Sequence, residues 1–243
     1  MSALYDRIGI GYSNLRKPDQ RIADRINQAL GNAETILNIG AGTGSYEPKD
    51  RTLFALEPSA AMIEQRASDA APVVQGTAEN LPFDDNQFDA AMAVLTVHHW
   101  TQFETGLSEM RRVARDRLVI LTFDPKAPYF WLADYIPEII TLDQPIMPDI
   151  SRFEAILGDI EVHPVPIPND CTDGFLGAYW RRPHAYLDPN VRSAISTFSK
   201  LGNLSDALTK LEEDLESGAW TQSYGQLLNE DSLDIGYRLI VKN

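Results

Sequence analysis

Apolar residues change their spacing repeatedly along this chain, and each change marks an element. Ile22, Ile26 and Leu30 fall on one helical face, with Asp19 placed to cap the start and Gly31 to end it. Ile36-Leu37-Asn38-Ile39 is a short strand-like run, and Leu53-Phe54-Ala55-Leu56 is a second that ends at Glu57. Pro58-Ser59 opens a helix through Met62 and Ile63, Val73-Val74 makes a short third strand, and Phe88 to Leu95 reads as the fourth. Thr101 and Glu104 form a capping box before a helix with Phe103, Leu107 and Met110 on one face, and Leu118 to Phe123 follows as strand five. Strands alternating with helices predict βαβ units and a parallel sheet.

The second half has a different texture. A capping box of Ser151 and Glu154 predicts a helix ending near Gly158. In the run from Ile160 to Pro168, prolines at 164, 166 and 168 remove N–H groups that all point to one side of a strand. That side cannot be paired, so the strand belongs at a sheet edge, with its other side free for a partner such as the terminal run Ile235 to Val241. Between them, Asn169 to Asp234 reads as several helices, one carrying Leu204, Leu208, Leu211 and Leu215 with Ser205 as its cap. Residues 125–150 and 169–234 are expected to form a helical cover over the sheet's carboxyl edge, where open α/β sheets place their ligands. The whole of 1–243 is expected to be one domain carrying these insertions.

Composition narrows the partners. With 35 acidic against 21 basic residues the formal charge is −14, which repels phosphate backbones and anionic lipid, so neither nucleic acid nor a membrane surface is an expected partner. The basic clusters at Arg111, Arg112, Arg115 and Arg117, and at Arg181-Arg182, read as solvated surface charge. No apolar run approaches the ~18 residues that would span a bilayer. One cysteine, Cys171, and a start without a basic, then apolar leader point to the cytoplasm; a monomer or homodimer is expected. The four histidines show no metal-ligand spacing, so no metal is expected.

Strand one runs directly into Gly40-Ala41-Gly42-Thr43-Gly44, whose glycines allow positive φ and leave a ligand free to approach the backbone. Glu57, ending the next strand, is placed to accept both hydroxyls of a ribose lying across the strand ends. A nicotinamide dinucleotide needs a helix N-terminus for its pyrophosphate, but only Ser45 to Arg51 separate the glycines from strand two. S-adenosylmethionine has no phosphate and asks only for the close approach. A nicotinamide-dependent oxidoreductase and a non-catalytic S-adenosylmethionine-binding protein remain as alternatives.

These motifs together resemble the class I S-adenosylmethionine-dependent methyltransferases of the ubiquinone and menaquinone group. Ile36 to Gly44 is similar to their glycine motif, Leu56-Glu57-Pro58-Ser59 with Met62 to their ribose-binding strand end, and Gly76 to Phe83 to their adenine loop. Phe88-Asp89 to Trp100 resembles strand four with its His-His-Trp, and Glu109 to Val113 the helix before strand five. The resemblance implies a Rossmann-like three-layer fold, a seven-stranded mostly parallel sheet with its last strand antiparallel and inserted beside strand five. It implies S-adenosylmethionine as cofactor and a small-molecule methyl acceptor. Gly40, Ala41, Gly42 and Glu57 would hold the cofactor, Ala78 and Glu79 would lie beside its adenine, Pro58 on its face, and Leu95 in its cleft; Tyr12, before the first helix, is a candidate to close over it. The chain departs from the family in having Asn38 where an acid is usual, Thr77 where an aspartate is common, and almost no helix after the glycines.

Methyl transfer from a sulfonium needs positioning more than acid–base chemistry. Where the acceptor must lose a proton, His98 and His99 are the candidate catalytic residues, with Asp124 beside them at the strand ends. In the cover, Asp170 to Gly174, Tyr179, Trp180 and His184 read as turn and core residues, with a substrate pocket as the alternative.

Overall fold

The computed structural model describes residues 16–243. In chain order the main elements are α1 (Gln20–Leu30), β1 (Thr35–Ile39), β2 (Thr52–Glu57), α2 (Ala60–Glu64), β3 (Val73–Gln75), β4 (Phe88–Val94), α3 (Phe103–Val113) and β5 (Ala114–Phe123). Then come α4 (Leu132–Tyr135), α5 (Glu138–Asp143), α6 (Ile150–Leu157), β6 (Glu161–Pro164), β7 (Ile167–Pro168), α7 (Pro189–Ser193), α8 (Ser205–Ser217), α9 (Ala219–Tyr224), β8 (Ser232–Leu233) and β9 (Tyr237–Lys242).

Seven strands form one sheet in the order β3-β2-β1-β4-β5-β9-β6. The first five are mutually parallel, and β9 lies antiparallel between β5 and β6, as the resemblance implies. The prolines place β6 as expected: it is the outermost strand, paired on one side only, and Val165 N–H, between two prolines, donates to Tyr237 O at 2.9 Å. Beyond it β7 and β8 make a separate two-stranded ribbon, so the polypeptide enters and leaves the 169–231 insertion at one place.

Apolar residues face both sides of the central strands, which is what a sheet sandwiched between helices requires. One face packs Ile36, Ala90, Val119 and Leu121 against Ile22, Ile26 and Leu30 of α1 and against the cover. The other packs Leu37, Ala91, Ile120 and Ile240 against Leu107 and Met110 of α3 and Phe153 of α6. Removing one such buried leucine or isoleucine side chain to alanine costs ~2–5 kcal/mol.

Three helix starts differ from their sequence pattern, two of them for a shared reason. At α6 the cap is Asp149, whose carboxylate accepts the Ser151 N–H at 3.0 Å and its hydroxyl at 2.9 Å; at α8 the Asn203 side chain accepts the Ser205 N–H and hydroxyl in the same way. An Asx side chain two residues earlier displaces the serine from the capping role. At α3 the cap residue is Gln102 with no side-chain bond, and the Thr101 hydroxyl donates to Glu79 instead of receiving. Strand five begins four residues sooner than expected, at Ala114, because α3 passes into it without a turn and a bulge opposite Phe88 to Ala90 absorbs the change.

Residues 125–150 and 169–234 pack on each other above the carboxyl ends of β1, β4 and β5. Trp131 donates its indole N–H to Trp180 O at 2.6 Å, Tyr135 donates to Asp214 and Tyr224 to Asp134. Trp131 also packs edge-on against Trp220 and Tyr186.

Candidate active site

Where β1, β2 and β4 end, the chain turns sharply and leaves backbone exposed to a cavity. Gly40, Gly42 and Gly44 have φ of 70°, 53° and 96°, and Tyr46 and Leu95, which also line the cavity, take positive φ at 63° and 52°. A side chain in that region is strained by ~1–2 kcal/mol. The surroundings sustain it: Leu95 N–H donates to Leu121 O at 2.8 Å, and the Tyr46 hydroxyl donates to Asp173 at 2.9 Å.

The glycine turn is clamped from beneath. Gly40 and Ala41 N–H both donate to Leu56 O, and the Glu57 carboxylate accepts the Gly42 N–H at 2.7 Å and the Ser59 N–H at 2.9 Å. Glu57 is only 6% exposed, and that burial pushes its carboxyl above the ordinary range, opposed by the two N–H donors and by the Arg66 charge. Glu57 lines the cavity, and each of its carboxylate oxygens can accept a further hydrogen bond, which suits a pair of vicinal hydroxyls.

The absent helix after the glycines has a replacement that local sequence patterns do not reveal. Arg66 reaches back to Glu47 with 2.8 Å and 2.9 Å hydrogen bonds and to Gly42 O at 3.2 Å, while Asn38, at the position where an acid is usual, donates to Glu47 at 3.1 Å. Arg66 and Glu47 side chains are 4% and 9% exposed, so the pair is held out of water and fixes the turn.

The loop from Gly76 to Phe83 closes the same side. Glu79 lines the cavity and accepts from Thr101 N–H and hydroxyl, both at 2.7 Å, and from Gln102 N–H at 3.2 Å. It thereby ties the loop to the start of α3. From the middle of that helix Glu109 accepts the Leu81 N–H, and Arg112 donates to Leu81 O and Phe83 O. The arginines of the 111–117 cluster are thus committed to internal bonds: Arg115 pairs with Asp89, Arg117 donates to Ala29 O and Arg111 to Ile156 O.

All of this opens into one cavity of ≈ 470 Å³, within the size range of small-molecule and cofactor sites. Its outer half is lined by Gly40, Ala41, Gly42, Glu57, Pro58, Ala78, Glu79 and Leu95, so the structure brings these expected residues together. Tyr12 lies outside the described residues. The inner half runs under the cover between Phe123, Tyr129, Phe130, Phe175 and Tyr237, with His98 and His99 beside it. The two imidazoles lie with ring centres 3.9 Å apart and tilted by 49°, and burial together with nearby cations depresses both, His99 to about 4 and His98 well below its ordinary value. Both are therefore neutral near pH 7.

Other candidates fall elsewhere. Asp124 accepts the Lys126 N–H in its own turn and is not on the cavity wall. Asp170 to Gly174, Tyr179, Trp180 and His184 do not line it either: Trp180 is fully buried core, and Asp173 joins Arg16 and Tyr46. Phe175 to Gly177, immediately after, line it instead. Among the cavity residues that were not expected, one is acidic. Asp143, at the end of α5, is 5% exposed, and burial pushes its carboxyl up to about 6. Among the described residues no group of His, Cys, Asp and Glu is arranged to hold a metal ion, and no helix is long and apolar enough to cross a membrane.

Comparison with known proteins agrees with this geometry. A methyltransferase domain model matches residues 37–120. A solved structure from Anabaena variabilis, assigned as a methyltransferase from an antibiotic biosynthesis pathway, superposes with a TM-score of 0.87 at 33% identity, covering 94% of this chain and 99% of that one. A demethylmenaquinone methyltransferase from Mycolicibacterium gilvum is 35% identical over 42% of this chain, and a 2-methyl-6-phytyl-1,4-hydroquinone methyltransferase from Oryza sativa subsp. japonica 25% over 56%. The chain spans about half the length of these two relatives, 48% and 43%. The nicotinamide alternative falls away, and the chain belongs to the S-adenosylmethionine-dependent methyltransferases.

Proposed function

We propose that this protein transfers a methyl group from S-adenosylmethionine to a small, largely apolar molecule held under the cover. The carrying observation is the continuity of one cavity from the glycine turn and Glu57 to an aromatic-walled inner half, with Leu95 and Thr96 between them. Relatives named for quinone and hydroquinone methylation support an apolar, ring-bearing acceptor.

The residues present fit the cofactor. At Gly42 an added Cβ would meet only Met62 at 3.4 Å, so the open space beside it is available to a nucleoside. Glu57 would accept from the ribose hydroxyls, Gly40, Ala41 and Gly42 would face the ligand with bare backbone, Pro58 and Ala78 would pack on the adenine, and Glu79 would border it. Bound there, S-adenosylmethionine supplies an electrophilic methyl on a cationic sulfur. The protein's part is positioning: the cover excludes water, the aromatic walls orient the acceptor, and Leu95 narrows the passage between the halves. His98 and His99, kept neutral, offer imidazole nitrogens that would orient an acceptor hydroxyl or take its proton.

Incubating the protein with methyl-labelled S-adenosylmethionine and a metabolite extract should place label in low-mass, solvent-extractable products. Label found only in macromolecules, or none with a protein that binds S-adenosylhomocysteine, would remove this reading.

A further inference from the structure

The inner half of the cavity carries two polar groups whose bonding is incomplete. Asp143, buried among apolar residues, accepts one hydrogen bond among the described residues, from the Thr197 hydroxyl at 3.3 Å. Among the described residues no cation lies within ion-pair reach of it, and the Lys200 charge acts on it from farther away. Tyr129 faces the same cavity with a buried hydroxyl that has no hydrogen-bond partner among the described residues. Burial and the Asp143 charge both raise that phenol's pKa, so it stays protonated and ready to donate. Aromatic rings make up much of the surrounding wall: Phe123, Phe175 and Tyr237 pack edge-on or tilted around the space.

Leaving a buried carboxylate and a buried phenol short of partners is unfavourable, and a ligand that bonds both removes that cost. Asp143 can only accept when ionised, and Tyr129 can donate as well as accept. The group that satisfies both at once is a hydroxyl. An ammonium would suit Asp143 but leave the Tyr129 hydrogen unused, and a carbonyl would suit Tyr129 but repel Asp143.

Resting on the small-molecule reading above, we infer that Asp143 and Tyr129 form the recognition site for a hydroxyl group carried by the apolar ring system of the methyl acceptor. Asp143 accepts the hydroxyl's hydrogen, Tyr129 donates to its oxygen, and the aromatic walls hold the ring. Asp143 is then a positioning residue contributed by the cover, separate from the cofactor contacts.

Three probes of one shape test this: 2-naphthol, 2-naphthylmethylamine and 2-methylnaphthalene, titrated into protein saturated with S-adenosylhomocysteine and followed by calorimetry. The wild type should bind the naphthol at least tenfold more tightly than 2-methylnaphthalene. Asp143→Asn should reduce naphthol affinity tenfold or more, and Tyr129→Phe several-fold, while both leave 2-methylnaphthalene and S-adenosylhomocysteine unchanged. Tyr129→Phe decides the matter if Asp143→Asn fails to fold. A wild type with no preference for naphthol, a preference for the amine instead, or variants that lose all probes equally would overturn the inference. None of these results bears on labelled-methyl transfer, so the broader reading stands or falls on its own experiment.

Discussion

Replacing Glu57 by glutamine tests the cofactor assignment at its most specific contact. The two carboxylate oxygens are held by Gly42 N–H at 2.7 Å and Ser59 N–H at 2.9 Å, so an amide must point its NH2 at one of these donors. The same substitution halves the acceptors available to a ribose diol. A hydrogen bond to a charged group contributes ~1.5–3 kcal/mol, which predicts a rise of about ten- to hundredfold in the dissociation constant for a nucleoside. Local loosening of the turn could weaken binding without any ribose contact, so the assay is a cycle: adenosine and 2′-deoxyadenosine, each titrated by calorimetry into wild type and Glu57→Gln. If Glu57 meets the 2′-hydroxyl, its removal should weaken binding about tenfold in the wild type and barely at all in the variant, since the partner is already gone. An equal deoxy penalty in both proteins would refute the contact, however weakly the variant binds.

Two neighbouring glycines should respond oppositely to alanine. At Gly40 the new Cβ would lie 2.1 Å from Thr96 Oγ1 at a φ of 70°, so Gly40→Ala should fail to fold or unfold at much lower urea. Gly42→Ala carries only the ~1–2 kcal/mol strain of its φ and should fold, yet lose S-adenosylhomocysteine affinity tenfold or more; unchanged affinity would place the ligand elsewhere. His99 titrates at about 4 when folded, below its ordinary value of 6.5, so the unfolded chain takes up the proton first as pH falls. Stability from this site is intact above about pH 6.5 and declines by up to ~3 kcal/mol toward pH 4, and His99→Gln should flatten urea midpoints across that window. A wild-type midpoint constant from pH 7 to 5 would contradict the burial of the imidazole.

What could be read before the structure was whatever acts locally along the chain. Alternate prolines at 164, 166 and 168 remove donors from one side whatever the tertiary context, so the edge position of β6 was legible. The glycine turn and Glu57 were legible because both lie at strand ends within a short span. Helix caps were misread where two local signals competed and the nearer Asp149 or Asn203 prevailed. Arg66 and Glu47 carry no pattern that announces a partner 19 positions away. Asp143 was invisible for a similar reason: an acid ending a short helix is ordinary surface chemistry until a second segment, bearing Thr197, folds over it.

Because the β7–β8 ribbon brings residues 168 and 232 side by side, the polypeptide between them forms a closed excursion from the sheet rim. The register of β6 on β9 is set by residues 161–164 and 238–241, all outside that excursion. Chimaeras joined at this ribbon would replace only the wall that Phe175 to Gly177 and Ile195 to Thr197 give the cavity, leaving Tyr129, Phe130, Asp143 and the glycine turn in place.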